Sequence, residues 1–329
     1  MKYKNFLLIF TLIAVIGTTT DGNAAYKLKN GHFVNANDVA TGTMEQHYRL
    51  GMEAMEGKYW RESLRQFRMI AASFSNNSAS HEALYFLGYV NLQIDELETA
   101  SKMIDRYLKG QDNPRYFEEA IQCKYEIAEK YRNGSRRRLF GMKQMPKWKN
   151  GKDSAIILFN EVITALPGHD LTAKALYSKA LLFRDSKLYN ESVADFQGLI
   201  KRFPKHELAP ESYFQINQIY VTRSQTEVRN PDLLILASIN LERFINHFPG
   251  DERLDDLIGT LREIEESSAR GLYDTGRFYE RTKKPRASAL YYTNVLHQYP
   301  KTETAEKSKE RLIALKKADD DIKIPEGLL

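Results

Sequence analysis

The chain has 329 residues, with 48 Lys and Arg against 43 Asp and Glu and a formal charge of +5. A balance this mild commits it to neither nucleic acid nor a charged membrane surface. Cys123 is the only cysteine, so no internal disulfide can form and burial alone must hold the fold.

The first predicted element is a targeting segment. Met1-Lys2-Tyr3-Lys4 is basic, Phe6 to Gly17 is apolar, and Thr18 to Ala25 is small and polar. This is the form of a secretory signal peptide, cut after Ala24 or, next best, after Ala25. The rival, an uncleaved anchor, needs roughly twenty apolar residues, and this core has about twelve. Loss of the signal leaves a charge of +4. The expected divisions are a signal peptide over 1–24, an extended segment over 25–43, a helical array over 44–315, and a frayed acidic tail over 316–329 containing Asp319-Asp320-Asp321. No later stretch of the sequence approaches a membrane span.

From residue 44 onward, apolar or small residues recur at i, i+3, i+4 and i+7, the helical period, and the pattern repeats. The first predicted pair of helices reads Leu50, Gly51, Ala54, then Ser63, Phe67, Ile70, Ala71. The second reads Leu84, Leu87, Gly88, Asn91, then Ala100, Ile104, Tyr107, Leu108. The third begins Ile127, Ala128, Tyr131 and resumes, after an insertion, at Ala155, Phe159, Val162, Ile163. The fourth reads Leu176, Ala180, Phe183, then Ser192, Phe196, Leu199, Ile200. The fifth, interrupted at Arg223 to Pro231, runs Tyr213, Ile216, Asn217, Tyr220, then Ala237, Leu241, Phe244. The sixth, within Gly271 to Leu315, reads Tyr273, Thr275, Gly276, Tyr279, then Ser288, Tyr292, Val295, Leu296.

Leu166-Pro167, Phe203-Pro204, Phe248-Pro249 and Tyr299-Pro300 close four of these pairs, because proline cannot continue the helix before it. Acids follow each stop and suit the start of the next helix: Asp170, Glu207, Asp251 and Glu303. Small residues at the eighth and twentieth positions, with a large one at the twenty-fourth, resemble the tetratricopeptide repeat: helices cross closely only where side chains are small. The resemblance implies an all-α fold, a right-handed α-solenoid of about six tetratricopeptide-like helix pairs. An irregular bundle would not align its small residues and proline stops in this way.

Enzyme signals are wanting. The seven histidines form no His-Glu-x-x-His frame, and Cys123 has no metal-ligand companion at diagnostic spacing. His169 and His206 each follow a stop proline by two residues, which reads as a helix-start role. Glu118-Glu119 and Glu263, Glu265, Glu266 read as solvated helix faces. No catalytic, cofactor or metal residue is assigned. Between the helices of the third pair, residues 133–152 carry Arg136, Arg137, Arg138, Lys143, Lys147, Lys149 and Lys152 with no acid, threaded by Leu139, Phe140, Met142, Met145 and Trp148. A loop of that length in a compact array is functional or disordered. Its basic and aromatic residues suit an anionic glycan, lipid headgroups or an acidic partner; the competing reading is a solvated loop with its apolar residues folded onto a neighbouring helix.

Three segments are similar to the BamD family, the tetratricopeptide lipoproteins of bacterial outer-membrane β-barrel assembly: His47-Tyr48-Arg49-Leu50-Gly51 with Trp60-Arg61-Glu62-Ser63-Leu64; Ala100 to Leu108; and Gly276-Arg277-Phe278-Tyr279 through Ala287 to Tyr292 and Gln298-Tyr299-Pro300-Lys301-Thr302. The resemblance spans roughly residues 44 to 315. It implies a non-enzymatic periplasmic adaptor peripheral to the outer membrane, whose partners are envelope proteins such as β-barrel assembly subunits. It also implies a C-terminal contact through Arg277, Arg281, Lys283 and Lys284, beside a candidate contact at Arg136, Arg137, Arg138, Lys147 and Trp148. The family's lipid-bearing cysteine is replaced here by Asn23-Ala24-Ala25-Tyr26, which predicts a chain without a lipid anchor. The tetratricopeptide coordinator of the Tol system and cell-wall synthesis shares the same Pro-bounded style and is the alternative. An envelope hydrolase with accessory repeats is the third possibility.

Overall fold

The computed structural model describes residues 26–29, 32–35, 39–74, 77–138, 145–227, 230–319, 322 and 325. The signal segment and its cleavage stretch lie outside them. Among the described residues there are thirteen helices and four short strands. The chain divides into two compact units, Met1–Cys123 and Lys124–Leu329.

The first unit opens with β1 (Tyr26–Lys29) and β2 (His32–Asn35), an antiparallel pair with Tyr26 opposite Asn35 and Lys29 opposite His32. A hairpin therefore occupies part of the segment expected to be merely extended. Then come α1 (Met44–Glu56), α2 (Trp60–Ser73), α3 (Ser78–Gln93), α4 (Leu97–Lys109) and the start of α5 (Phe117–Arg132). Phe67 and Phe86 stack at 4.8 Å with the Tyr48 ring edge-on to both, and Ile70, Leu92, Ile104 and Tyr107 complete a dry core. Cys123 is buried, as a small apolar residue would be.

The second unit holds the rest of α5, β3 (Arg136–Arg138), β4 (Lys147–Asn150), α6 (Lys152–Ala165), α7 (Asp170–Asp185), α8 (Tyr189–Arg202), α9 (Leu208–Thr226), α10 (Asp232–His247), α11 (Leu254–Arg281), α12 (Pro285–Gln298) and α13 (Glu303–Ala318). Consecutive helices pair as the repeat requires. The α5–α6 pair is tied by Lys124 Nζ on Glu161 at 2.6 Å and by the Tyr125 and Phe159 rings.

One joint recurs. A Cβ on Gly51, Gly88 or Gly276 would lie 3.0 Å from the Phe67 ring, 2.5 Å from Ile104 Cδ1 or 2.6 Å from the Tyr292 ring, so only glycine lets the second helix come this close. Where the facing small residue is serine, its hydroxyl donates to the backbone of the first helix: Ser63 to Gly51 O at 3.1 Å, Ser192 to Ala180 O at 2.8 Å, and Ser288 to Gly276 O at 2.9 Å. The polar atom is buried and satisfied in each case.

Seven residues after Gly51, Gly88, Ala180 and Gly276 the chain turns through the left-handed region, and α5 ends in the same turn, whereas α9 stays helical to Thr226. Lys58, Asp95, Lys187 and Lys283 have φ between 57° and 61°, and Gly134 has φ 101°. The following N–H reaches back across the helix end, as Tyr59 to Ala54 O at 2.7 Å and Lys284 to Tyr279 O at 3.0 Å, the Schellman closure.

The proline stops are equally regular. Leu166, Phe203, Phe248 and Tyr299 cap α6, α8, α10 and α12 with φ between −132° and −128° and ψ between 54° and 61°, outside the helical region that a following proline disfavours. Two residues past each proline a side chain accepts from the backbone at the start of the next helix. His169 and Thr302 are the caps of α7 and α13, bonding Leu171 N and Ala305 N at 3.1 Å, while His206 and Asp251 stand one and two residues before the cap and accept from Leu208 N and Arg253 N at 3.0 Å. The helix-start role expected of the two histidines is what they perform.

Three features depart from expectation. Residues 133–152 are not a plain loop, since β3 and β4 pair into a hairpin. The last pair does not begin near Gly271: α11 is a single helix of 28 residues, and its first half belongs to the preceding repeat. There Asn217, Asn240 and Thr260 form a buried chain of hydrogen bonds at 2.9–3.0 Å across α9, α10 and α11. The acidic tail starts later than 316, because α13 runs to Ala318, and Ile322 is buried against Ala289, Tyr292 and Leu312. Asp320 and Asp321 lie outside the described residues.

Candidate binding surfaces

The inserted hairpin grows out of a regular helix end. Gly134 takes the left-handed turn, and Ser135 N closes on Lys130 O at 3.0 Å, as in the uninterrupted repeats. The return is fixed at Gly151, which is buried at the start of α6. A Cβ there would lie 2.7 Å from Ser135 O and closer still to the Tyr131 ring. Within the ladder Arg136 faces Asn150, Arg137 faces Lys149, and Arg138 faces Lys147. One step along β3 thus answers two along β4. Trp148 is the residue left over, a bulge, and its side chain is 69% exposed.

The hairpin's charges are not equivalent. Arg137 donates to Ser154 Oγ on α6 at 2.8 Å, and Lys152 reaches Ser186 Oγ at 3.4 Å. Arg138 and Lys147 are partly buried, while Arg136 and Lys149 are exposed. The structure therefore brings Arg136, Arg137, Arg138, Lys147 and Trp148 into one ribbon and adds Lys149 to them. Trp148 is exposed, while Met145 is half-buried. Leu139, Phe140, Met142 and Lys143 lie outside the described residues.

At the C-terminal turn the four basic residues separate into two kinds. Arg277 sits 3.7 Å from Glu280, which also accepts from Tyr292 Oη at 2.8 Å and from Arg311 on α13. Glu280 thereby joins α11, α12 and α13, a hub that sequence reasoning missed because its partners come from three separate stretches. Arg281, Lys283 and Lys284 are exposed, and Lys283 is the left-handed residue of the turn. Glu266, expected on a solvated face, instead receives the Thr304 hydroxyl at 2.5 Å and so anchors the start of α13. Between α9, α11 and α13 lies an open cavity of about 740 Å³, lined by Leu261, Arg262, Glu265, Arg270 and Lys301 among others.

Two carboxylates are shifted in opposite senses. Hydrogen bonding from Arg253 holds Asp251 below the usual carboxylate range. Burial pushes Asp195 up, although Lys179 stands 3.1 Å away. Each sits in a structural contact. Among the described residues no three His, Cys, Asp or Glu side chains converge as metal ligands. No helix among them is long and apolar enough to cross a membrane.

Buried glycine and serine joints, repeated Schellman turns and proline-bounded pairs define a tetratricopeptide scaffold, a class that holds other proteins. Residues 189–323, from the start of α8 through α13, match the family described as YfiO, outer membrane lipoprotein. Over that stretch, about two fifths of the chain, the protein is similar to that family. Curated proteins give no match. Among solved structures, a tetratricopeptide repeat protein of Parabacteroides merdae is 16% identical with a TM-score of 0.38, covering 83% of this chain and 98% of its own. A TPR repeats protein of Bacteroides fragilis is 11% identical with a TM-score of 0.39, covering 84% and 100%. MamA of Desulfovibrio magneticus is 15% identical with a TM-score of 0.38, covering 65% and 99%.

Proposed function

We propose that this chain is an exported, non-enzymatic adaptor that works in the periplasm, peripheral to the outer membrane, and holds other subunits during outer-membrane protein assembly. The match of residues 189–323 to an outer membrane lipoprotein family carries this reading. The signal-like segment over 1–24 supports export. The proposed contact is the α11–α12 turn, where Arg281 and Lys284 are exposed on either side of Lys283. Arg277 already answers Glu280 and contributes less.

Crosslinking in intact cells followed by purification tests this. The parent chain should recover β-barrel assembly subunits. Arg281→Glu with Lys284→Glu should lose them while helical content and thermal midpoint stay unchanged. Recovery of cell-wall synthases or Tol components in their place would replace this reading with the envelope coordinator.

A further inference from the structure

Within the second unit a groove of about 550 Å³ opens between α8 and α10, over Tyr213 of α9. Its floor is fixed. Tyr213 is buried, and Asn240 beside it donates to Tyr213 O at 2.8 Å and to Asn217 Oδ1 at 2.9 Å. Lys201 on α8 and Arg243 and His247 on α10 form the rim, and all three are exposed. No Asp or Glu is among the residues that line it. Among the described residues, neither the Lys201 ammonium nor the Arg243 guanidinium has a carboxylate within 4 Å. Burial pushes the Tyr213 hydroxyl up and Arg243 counters it, so the charge of Arg243 is felt at the floor. The His247 ring is oriented by its Nδ1–H, which donates to Arg243 O at 2.7 Å and leaves Nε2 for a ligand. Basic residues in the last turn of a helix often do no more than answer its dipole, and Lys201 and His247 hold such places. Two helix ends supply about one negative charge together, less than Lys201 and Arg243 bring. Positive charge is left over.

We propose that this groove binds an acidic peptide segment of a protein partner, with its carboxylates on Lys201 and Arg243 and an apolar neighbour resting on Ile200 and Pro204. The site is separate from the α11–α12 turn and does not rest on the outer-membrane reading. Dedicated phosphate sites gather backbone N–H groups at a helix start. Here Lys201 and His247 stand in last turns, where carbonyls gather instead. One small anion would also leave most of the cavity empty. Ile200, half-buried, and Pro204, exposed, give the groove an apolar side that a phosphate cannot use. An extended segment that alternates acidic and apolar residues meets both sides at once.

The probe is a short fluorescein-labelled peptide of alternating Glu and Leu, with its Gln and Leu counterpart as control, read by fluorescence anisotropy against the full chain at low salt. The Glu peptide should bind and the Gln peptide should not, and added salt should weaken the binding. Lys201→Ala and Arg243→Ala should each weaken it about five-fold, and together about thirty-fold, with the far-ultraviolet dichroism unchanged. Arg136→Ala with Lys149→Ala removes the same charge from the hairpin and should leave the affinity as it was. Equal losses from the two pairs would overturn the proposal, since general attraction to a basic chain would then suffice. Failure of the parent chain to bind the Glu peptide would overturn it too. Calorimetry that shows inorganic phosphate bound by the parent chain and lost in the Lys201 and Arg243 variants, with no binding of the peptide, would overturn it in favour of a phosphate site.

Discussion

Gly276 and Gly259 stand on the same helix, α11, and the same substitution should act on them with opposite sign. Gly→Ala in a helix interior gains about 1 kcal/mol from propensity alone. At Gly259 nothing lies within 4 Å of the new methyl, so the whole gain should appear. At Gly276 the methyl would stand 2.6 Å, 3.0 Å and 3.1 Å from three atoms of the Tyr292 ring. That ring is fully buried and cannot swing away. Overpacking of this kind costs about 1–3 kcal/mol. Displacing the ring also strains the 2.8 Å bond from Tyr292 Oη to Glu280, a charged contact worth about 1.5–3 kcal/mol. Gly276→Ala should therefore lose about 1–3 kcal/mol net, read as a lower urea midpoint, while Gly259→Ala raises it. In a Tyr292→Leu background the ring is gone, and Gly276→Ala should become neutral or stabilising. If Gly276→Ala stabilises the unaltered chain as Gly259→Ala does, the close crossing of α11 and α12 is not what glycine serves.

Ile322→Ala, or truncation after Ala318, should cost about 2 kcal/mol, the low end for a buried isoleucine because a chain end relaxes easily; urea unfolding of the shortened chain checks it. Lys283→Gly should stabilise by about 1 kcal/mol, because φ 57° strains any residue with a Cβ, and calorimetry should show the gain with helical content unchanged. The two shifted carboxylates should answer acid in opposite ways. The lowered carboxyl of Asp251 contributes stability that is complete above its ordinary range and lost as pH falls through its folded value, so the deficit of Asp251→Asn should shrink in acid. Asp195 is raised, so its contribution falls as pH rises from the ordinary carboxylate value through the folded one, and Asp195→Asn should remove that decline; urea midpoints across this range read both.

The helix pairs were legible because their chemistry is local and repeats at fixed spacing. A small residue opposite a large one, a proline stop and a capping side chain all fall within one repeat. The hairpin was not legible. Arg136 to Arg138 and Lys147 to Asn150 hold no β-branched residue and only one aromatic, so propensity argues against strands. They pair because Gly134 and Gly151 bring the two ends together at the α5 terminus, a tertiary closure seen only in the fold. The length of α11 was hidden for a similar reason. The sixth pair was expected within Gly271 to Leu315, yet the helix runs on through Gly271 because Thr260 and Ile264 are buried on one side of it and Gly276 on the other. Glu280 depends on Arg311, 31 positions away, and Ile322 on a cluster that reaches back 33 positions to Ala289, and periodicity carries no trace of such contacts.

The repeats also separate what holds the fold from what is displayed. Crossing residues such as Gly88 and Gly276 are buried against rings or branched chains and admit almost no change. Seven positions later the chain is exposed at Lys58, Lys187 and Lys283, and there the backbone demands only a turn. At the equivalent place in the third repeat, Gly134 makes the turn and an entire hairpin follows it without disturbing the closure of α5. A loop can lengthen at such a site for about 0.6 kcal/mol per doubling, so the turn is where a binding surface can be added at little cost to the joint. Two basic surfaces of this protein, the hairpin and the α11–α12 turn, stand at that position. Their charges can then be altered with the joints intact, so reversal at Arg281 and Lys284 should leave the urea midpoint unchanged.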